Sequence, residues 1–243
     1  MMAISISRYS GNKARMLPHY RRPPPGTLRV VEPYLGSGAY VLNSGLPGLG
    51  FDTDSRVVAL WRWFHTVGSE EIQSLEDILA RARATTTKPD IRDLPISEGA
   101  RLYLKLNVCS AMVGQWSSWK AYPQHRLPIK KTMAALSAAR QIEVCHADAS
   151  SYIEQQRAGD MAFLDPPYLG THANYASDRG YHEKTLRLLE RLTVPVLLTY
   201  GDGAPDIFSG LPWTAVKTRG VPNLRKGGTT NRTEYAAYLN WPQ

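Results

Sequence analysis

The chain has 243 residues, a formal net charge of +8 and 43% hydrophobic residues, which suits one globular domain that carries an insertion. This composition excludes global disorder, and no stretch approaches the roughly 20 apolar residues of a membrane-spanning helix. Residues 1–15 lack the apolar core of a signal peptide, and two cysteines are too few for a disulfide framework, so we expect a cytoplasmic protein with reduced thiols.

In chain order, short apolar runs alternate with segments of helical periodicity. Strands are predicted at 28–31, 49–51, 142–145, 161–164, 194–199, 213–218 and 234–239. Helices are predicted at 55–66, 70–83, 97–108, 150–156 and 181–192. The Thr- and Pro-rich stretch 85–95 reads as a linker, and 112–128 as irregular structure. This alternation predicts an α/β protein with a mainly parallel sheet.

The positive charge is concentrated in two segments. Residues 97–140 contain a single acidic residue, Glu98, and residues 215–232 contain none. Basic surface confined to two segments favours a polyanionic partner such as a nucleic acid, although an incidental excess of solvated Lys and Arg would look the same.

A glycine turn follows the first predicted strand. Gly36 and Gly38 allow a tight turn and close approach to a ligand, and Asp52 ends the next strand, where a carboxylate can bind both hydroxyls of a ribose. A dinucleotide site needs a small residue three positions after the second glycine, where this chain has Val41. The pattern therefore disfavours a nicotinamide dehydrogenase and favours a nucleoside cofactor without phosphates. A turn without any ligand stays open on this pattern alone.

The second motif is Asp165-Pro166-Pro167-Tyr168, directly after a predicted buried strand. A carboxylate and a rigidly held carbonyl of Pro166 could accept both N–H bonds of an exocyclic amine on a nucleobase. These bonds localise the nitrogen lone pair and stabilise the positive charge that grows as the nitrogen attacks a methyl group. The Tyr168 ring could stack on a base flipped out of its duplex. The alternative is a proline-stiffened turn without a function.

Four motifs occur in a fixed order along the chain. They are residues 9–13 (Tyr-Ser-Gly-Asn-Lys), residues 32–38 (Glu-Pro-Tyr-Leu-Gly-Ser-Gly), Phe51-Asp52 and residues 165–168. Together they resemble the Dam-type DNA adenine N6-methyltransferases, in the arrangement that places the cofactor motif before the recognition segment and the catalytic motif. The resemblance covers most of the chain and includes 102–107, which is similar to the helix that opens the family's recognition segment. The matches at 9–13 and 229–240 are weaker than those of the glycine and catalytic motifs.

The resemblance implies a Rossmann-like mixed seven-stranded methyltransferase sheet with a small, mostly helical DNA-recognition insertion. Residues 1–66 and 141–243 would form the catalytic domain, and residues 67–140 the target-recognition insertion. The implied methyl donor is S-adenosylmethionine, the implied substrate is an adenine in double-stranded DNA, and no metal is needed. The resemblance also implies that the protein is encoded by a bacterium or a phage, and it allows a restriction endonuclease as a partner.

The resemblance also assigns site residues. The catalytic group would be Asp165, Pro166, Pro167 and Tyr168. The cofactor-binding group would be Tyr9, Lys13, Glu32, Pro33, Gly36, Gly38, Asp52, Asp148 and Asp165. An equally good explanation of Asp148 is that it caps the helix predicted to begin at Ser150. The DNA-binding group, chosen for charge or for aromatic rings, would be Lys105, Trp116, Lys120, Arg126, Arg225, Lys226 and Arg232.

Several alternatives stay open at this point. The same carboxylate and carbonyl would serve N4 methylation of cytosine, and an RNA substrate or a catalytically dead DNA-binding homologue would share most of the motifs. The Val108-Cys109-Ser110 stretch differs from the Arg- and Gly-rich segment of family members that read GATC, so a GATC target is not expected.

Overall fold

The computed structural model describes residues 13–84, 89–109, 129–168, 180–222 and 229–242. Seven strands form one sheet: β1 Arg29–Glu32, β2 Gly48–Asp52, β3 Ile142–His146, β4 Asp160–Leu164, β5 Val196–Tyr200, β6 Trp213–Pro222 and β7 Thr229–Leu239. Their order is β3-β2-β1-β4-β5-β7-β6. Strands β1 to β5 are parallel, whereas β7 is antiparallel to both β5 and β6. The predicted α/β class with a mixed seven-stranded sheet is confirmed.

The central strands are buried on both faces of the sheet. Every residue of β4 and β5 is buried, because helices cover the two faces. Consecutive residues of one strand enter different clusters: Val30 and Phe163 pack on one face, and Val31 and Ala162 on the other. A continuous apolar run in the sequence therefore correctly predicts strands that are buried on both faces.

In the described part of the chain, seven α-helices connect or flank the strands: α1 Ala39–Ser44, α2 Ser55–Thr66, α3 Ser69–Arg83, α4 Glu98–Val108, α5 Ile129–Ala139, α6 Gly180–Arg191 and α7 Ala204–Ile207. Helices α2, α3, α4 and α6 lie within one residue of their predicted bounds. The helix predicted at 150–156 is a 3-10 helix, Ala149–Gln155. The sequence patterns gave no prediction for α1, α5 and α7.

Side-chain caps explain where two of these helices begin. The Asp54 carboxylate accepts the N–H of Arg56 at the start of α2, and the Ser97 hydroxyl accepts the N–H of Ala100 at the start of α4. Each cap satisfies a backbone donor that has no partner inside its helix.

The segment between α2 and β3 is mainly helical where it is described, and part of it belongs to the main core. Helix α4 packs against α2, with the rings of Tyr103 and Trp63 5.1 Å apart. Both rings are in the same cluster as Val30 of β1 and Ile142 of β3. The division into a catalytic domain and a recognition insertion stays a prediction.

The strand order reverses direction at β1. Strand β2 lies on one side of β1 and β4 on the other, and all three run parallel. Ligands of open parallel sheets bind outside the carboxyl ends of the strands at such a reversal. In this chain that edge carries Glu32, Asp52 and Asp165.

Within the described ranges, the helices are all too short or too polar to cross a membrane.

Candidate active site

The two sequence motifs meet at one edge of the sheet. The glycine turn follows β1, Asp52 ends β2 and Asp165 follows β4. Strands β2 and β4 are separated only by β1, so their ends lie about 10 Å apart across the sheet. The predicted cofactor and catalytic motifs are therefore neighbours, and the distance between them would allow one small molecule to contact both.

The glycine turn is fixed by Trp61 of α2. Gly36 and Gly38 both have left-handed backbones, with φ of 44° and 58°. The Trp61 indole N–H donates to the carbonyl of Gly36 at 3.0 Å, and its ring lies so close to Gly38 that a Cβ there would overlap it. Position 38 requires glycine because its backbone is left-handed and because a Cβ would overlap the Trp61 ring. Trp61 is not among the site residues predicted from the sequence.

Asp52 lies under the same turn. One carboxylate oxygen accepts the N–H of Gly36 at 2.9 Å, and the other accepts the N–H of Asp54 at 2.8 Å. Burial raises the pKa of Asp52, although these two N–H groups oppose the shift. Each oxygen keeps a lone pair, so the carboxylate is oriented and can still accept hydroxyl groups.

Glu32 has a structural partner inside the turn. Its side chain is buried and accepts the N–H of Val41 in the first turn of α1, where the N-cap residue Gly38 has no side chain to do so. Burial raises the pKa of Glu32 to about 8, although the bond from Val41 opposes the shift. Pro33, the next residue, is also buried. Glu32 therefore stabilises the start of α1 in this structure.

Asp165 is the centre of a cluster of polar side chains. The Lys13 ammonium lies 2.7 Å from both carboxylate oxygens. The hydroxyls of Tyr168 and Thr199 donate to Oδ1 at 2.9 and 3.0 Å. Burial disfavours the charged form of Lys13, but the attraction of Asp165 and Glu234 exceeds that effect and raises its pKa. Lys13 and Asp165 were both predicted site residues, and the structure brings them together.

Glu234 of β7 is a second carboxylate in this cluster, and the predicted site did not include it. Its Oε1 lies 2.8 Å from the Tyr168 hydroxyl, which has a single proton to share between Glu234 and Asp165, and accepts the Tyr20 hydroxyl at 3.2 Å. It lies 3.6 Å from the Lys13 ammonium. Burial raises the pKa of Glu234, although Lys13 opposes the shift. A sequence signal existed, since Glu234 is the last acidic residue of the chain and follows just after the basic segment 215–232.

The Tyr168 ring already has neighbours. Its centroid is 4.4 Å from that of Tyr200, and the Lys13 ammonium lies over the ring at 4.8 Å. The backbone of Gly201 is also close, because a Cβ there would lie 2.9 Å from the ring. A base that stacks on Tyr168 must share or displace these contacts.

Asp148 performs the capping role that the sequence allowed. Its carboxylate accepts the N–H and the hydroxyl of Ser150, at 3.0 and 2.7 Å. Burial opposes its ionisation, but the bonds from Ser150 and the charge of Lys184 hold its pKa below the ordinary value. Its predicted contact with a cofactor stays a prediction.

Most predicted DNA-binding residues fall outside the described part of the chain. Trp116, Lys120, Arg126, Arg225 and Lys226 lie there, and Arg232 is described only as backbone in β7. The predicted cofactor residue Tyr9 also lies outside the described residues. Lys105 is described and is only 3% exposed within α4. Its ammonium could reach a phosphate only if neighbouring groups moved. Burial lowers the pKa of Lys105 to about 8.

Among the described residues, the His, Cys, Asp and Glu side chains form no group of three that could hold a metal ion.

Comparison with known proteins gives one similarity of sequence. The chain is 26% identical over 231 residues to a DNA N-6-adenine-methyltransferase of Escherichia phage P1, a match that covers 84% of this chain and 30% of the relative. The chain thus spans less than a third of the length of that relative. No family model matches. A solved structure of a conserved hypothetical protein from Streptococcus pyogenes aligns over 93% of this chain and 94% of its own, with a TM-score of 0.36 and 13% identity.

Proposed function

We propose that this chain is a site-specific DNA methyltransferase that transfers a methyl group from S-adenosylmethionine to the N6 amine of an adenine flipped out of duplex DNA. The observation that carries the proposal is the position of Asp165 beyond β4, next to the glycine turn of β1 and the oriented carboxylate of Asp52. The similarity to a phage DNA N-6-adenine-methyltransferase supports the choice of adenine.

The cofactor half of the site suits a nucleoside. Gly36 and Gly38 bring the backbone close to the strand ends, and the two oxygens of Asp52 are oriented by backbone N–H groups with lone pairs left for two ribose hydroxyls. Tyr9, Lys13 and Asp148 complete the proposed cofactor group. Bound S-adenosylmethionine would supply an electrophilic methyl carbon on a sulfonium.

The catalytic half of the site suits an exocyclic amine. The Asp165 carboxylate is held in place by the Thr199 hydroxyl, and Pro166 and Pro167 restrict the backbone after it. Asp165 and the carbonyl of Pro166 would accept the two N–H bonds of the amine, which localises its lone pair toward the methyl carbon. Alignment and electrostatic stabilisation then supply most of the acceleration.

Binding of duplex DNA is proposed from charge. The chain carries 29 basic against 21 acidic residues, and its two basic segments are 97–140 and 215–232. We assign the first to the recognition insertion, and the second spans parts of β6 and β7 beside the Asp165 cluster. The phosphate backbone attracts such segments without regard to sequence.

The experiment is transfer of tritiated methyl groups from S-adenosylmethionine to genomic DNA, with wild type, Asp165→Ala and the control Asp206→Ala. Asp206 is an exposed carboxylate of α7. We expect D165A to lose more than about 99% of turnover, in line with the loss of a principal stabilising group, and D206A to retain it. Near-normal turnover of D165A would refute the role of Asp165. Digestion to nucleosides and mass measurement separates N6-methyladenine from N4-methylcytosine, and DNA binding without any transfer would indicate a dead homologue.

A further inference from the structure

One buried ammonium lies between two carboxylates in the candidate active site. Lys13 Nζ is 2.7 Å from both oxygens of Asp165 and 3.6 Å from Oε1 of Glu234. The Lys13 side chain is 8% exposed and the two carboxylate side chains are 18% exposed each. Water therefore screens this triad little, and each charge depends on its neighbours.

The ammonium competes with the proposed substrate. Lys13 donates to both oxygens of Asp165, and the ammonium lies over the ring of Tyr168. These are the acceptor and the ring face that a flipped adenine would use. The Lys13 ammonium occupies the space over the Tyr168 ring in which a stacked base would lie, and it takes one acceptor position on each oxygen of Asp165. Lys13 must move when the base binds.

A buried ammonium that leaves one carboxylate needs another. Separation of a buried ion pair is costly when one charge is left without compensation. Glu234 is a second acceptor beside Lys13: a movement of less than one ångström would bring the 3.6 Å separation from Lys13 into ordinary hydrogen-bond range.

We propose that Glu234 is a positioning residue that receives the Lys13 ammonium when the target amine takes Asp165. The inference rests on the proposed function, because the proposed flipped base is what displaces Lys13. Glu234 would act through Lys13 and would not itself touch the reacting atoms.

The surrounding hydroxyls hold the two carboxylates ready for this exchange. Tyr168 joins them, because its hydroxyl lies 2.9 Å from Asp165 and 2.8 Å from Glu234. Thr199 donates to Asp165 and Tyr20 donates to Glu234. Each carboxylate therefore keeps a hydroxyl partner of its own while Lys13 moves between them.

The first test follows Lys13 without DNA or methyl transfer. Surface amines are labelled with formaldehyde and a borane reductant, and the rate at Lys13 is read by mass spectrometry, with the exposed Lys217 as internal reference. In D165N, Glu234 should hold the ammonium and Lys13 should stay protected. In D165N/E234Q its labelling should be about tenfold faster, the change that corresponds to about 1.4 kcal/mol of lost pairing.

The matched control is D165N/E154Q, since Glu154 is an exposed carboxylate in a surface pair with Arg191. It should label as slowly as D165N. The proposal is overturned if D165N labels as fast as D165N/E234Q, or if the double variant stays as protected as D165N. Circular dichroism establishes that each variant is folded.

The second test uses turnover and remains informative if the double variant does not fold. In E234Q, kcat/KM for DNA should fall about tenfold and further than kcat, because binding of the base then leaves Lys13 without an anionic acceptor. E234D, which retains the charge, should recover most of that loss. Equal kcat/KM in E234Q and wild type would overturn the proposal. If wild type methylates no DNA, the proposed function fails, while the labelling rates still decide where Lys13 goes.

Discussion

Replacement of Gly38 by alanine should destabilise the chain more than the same change at Gly45. Both glycines flank α1 and both have left-handed backbones, with φ of 58° and 75°. They differ in their surroundings. A Cβ at Gly38 would overlap the ring of Trp61, whereas a Cβ at Gly45 would meet nothing within 4 Å. The pair therefore separates backbone strain from steric overlap.

The magnitudes follow from these two effects. A non-glycine residue in the left-handed region costs about 1–2 kcal/mol, which is the whole cost expected for Gly45→Ala. The Trp61 ring is 1% exposed and its indole N–H is bonded to the carbonyl of Gly36, so it cannot rotate away without loss of that bond. Overpacking of this kind adds about 1–3 kcal/mol, which gives roughly 2–5 kcal/mol for Gly38→Ala.

Urea unfolding followed by circular dichroism measures both variants, and titration with S-adenosylmethionine measures cofactor affinity. Gly38→Ala should also weaken cofactor binding, since the glycine turn must move to relieve the overlap. Addition of Trp61→Leu removes the overlapping ring atoms, so Gly38→Ala should cost less in that background than in wild type. Equal free energies of unfolding for Gly38→Ala and Gly45→Ala would refute the argument that Trp61 fixes the turn.

Three further predictions concern buried charges. The folded chain holds the proton of Glu32 up to a pKa of about 8, while the unfolded chain releases it near the ordinary 4.5, so the free energy of unfolding should fall as pH rises across this window. In Glu32→Gln that fall should be smaller by up to roughly 3.5 kcal/mol between pH 5 and pH 8, as measured by urea unfolding at these two values. Lys105→Met should leave the salt dependence of DNA affinity unchanged, because the side chain is buried; a slope lowered by about one would show instead a direct phosphate contact. Arg29→Met should cost about 3–5 kcal/mol in urea unfolding, because it leaves the buried Asp160 without its bidentate cation, and a loss under about 1 kcal/mol would contradict that reasoning.

The strands and the longer helices were predictable because the pattern of apolar residues in the sequence matches the pattern of buried residues in the structure. Strand β4 is an uninterrupted apolar run after Asp160, and α2 has an acidic cap and an apolar face toward the sheet. In both elements the local preference and the tertiary environment agree, which is the condition for successful prediction from a single sequence.

Helix α1 was not predictable by the same reasoning. It has six residues, its N-cap is a left-handed glycine, and the carboxyl group that satisfies its first turn comes from Glu32, nine positions before Val41. The stabilising contact is thus made by a residue of β1, outside the helix. A periodicity window centred on residues 39–44 contains none of this information.

The candidate site also contains both residues that were predictable from the sequence and residues that were not. Gly36, Gly38, Asp52 and the motif at 165–168 were visible because each follows a strand, and the parallel sheet brings such ends together. Glu234 was missed because its role depends on the pairing of the antiparallel β7 with β5, which places it beside Tyr168, 66 positions earlier. Trp61 was missed because a tryptophan on the buried face of a helix is expected to pack, and only the structure shows that it packs on the glycine turn.

At the carboxyl edge of the sheet, the net charge cannot be read from the residue types alone. The acidic residues at the strand ends show why. From the sequence, Glu32 and Asp165 would both add negative charge where a polyanion is proposed to bind. In the structure, Glu32 is buried with a pKa of about 8, so it is mainly neutral at pH 7. The Asp165 carboxyl group is paired with the Lys13 ammonium at 2.7 Å. Burial and pairing thus remove most of the negative charge that would repel phosphates, while Asp165 keeps the oxygen lone pairs that an amine requires.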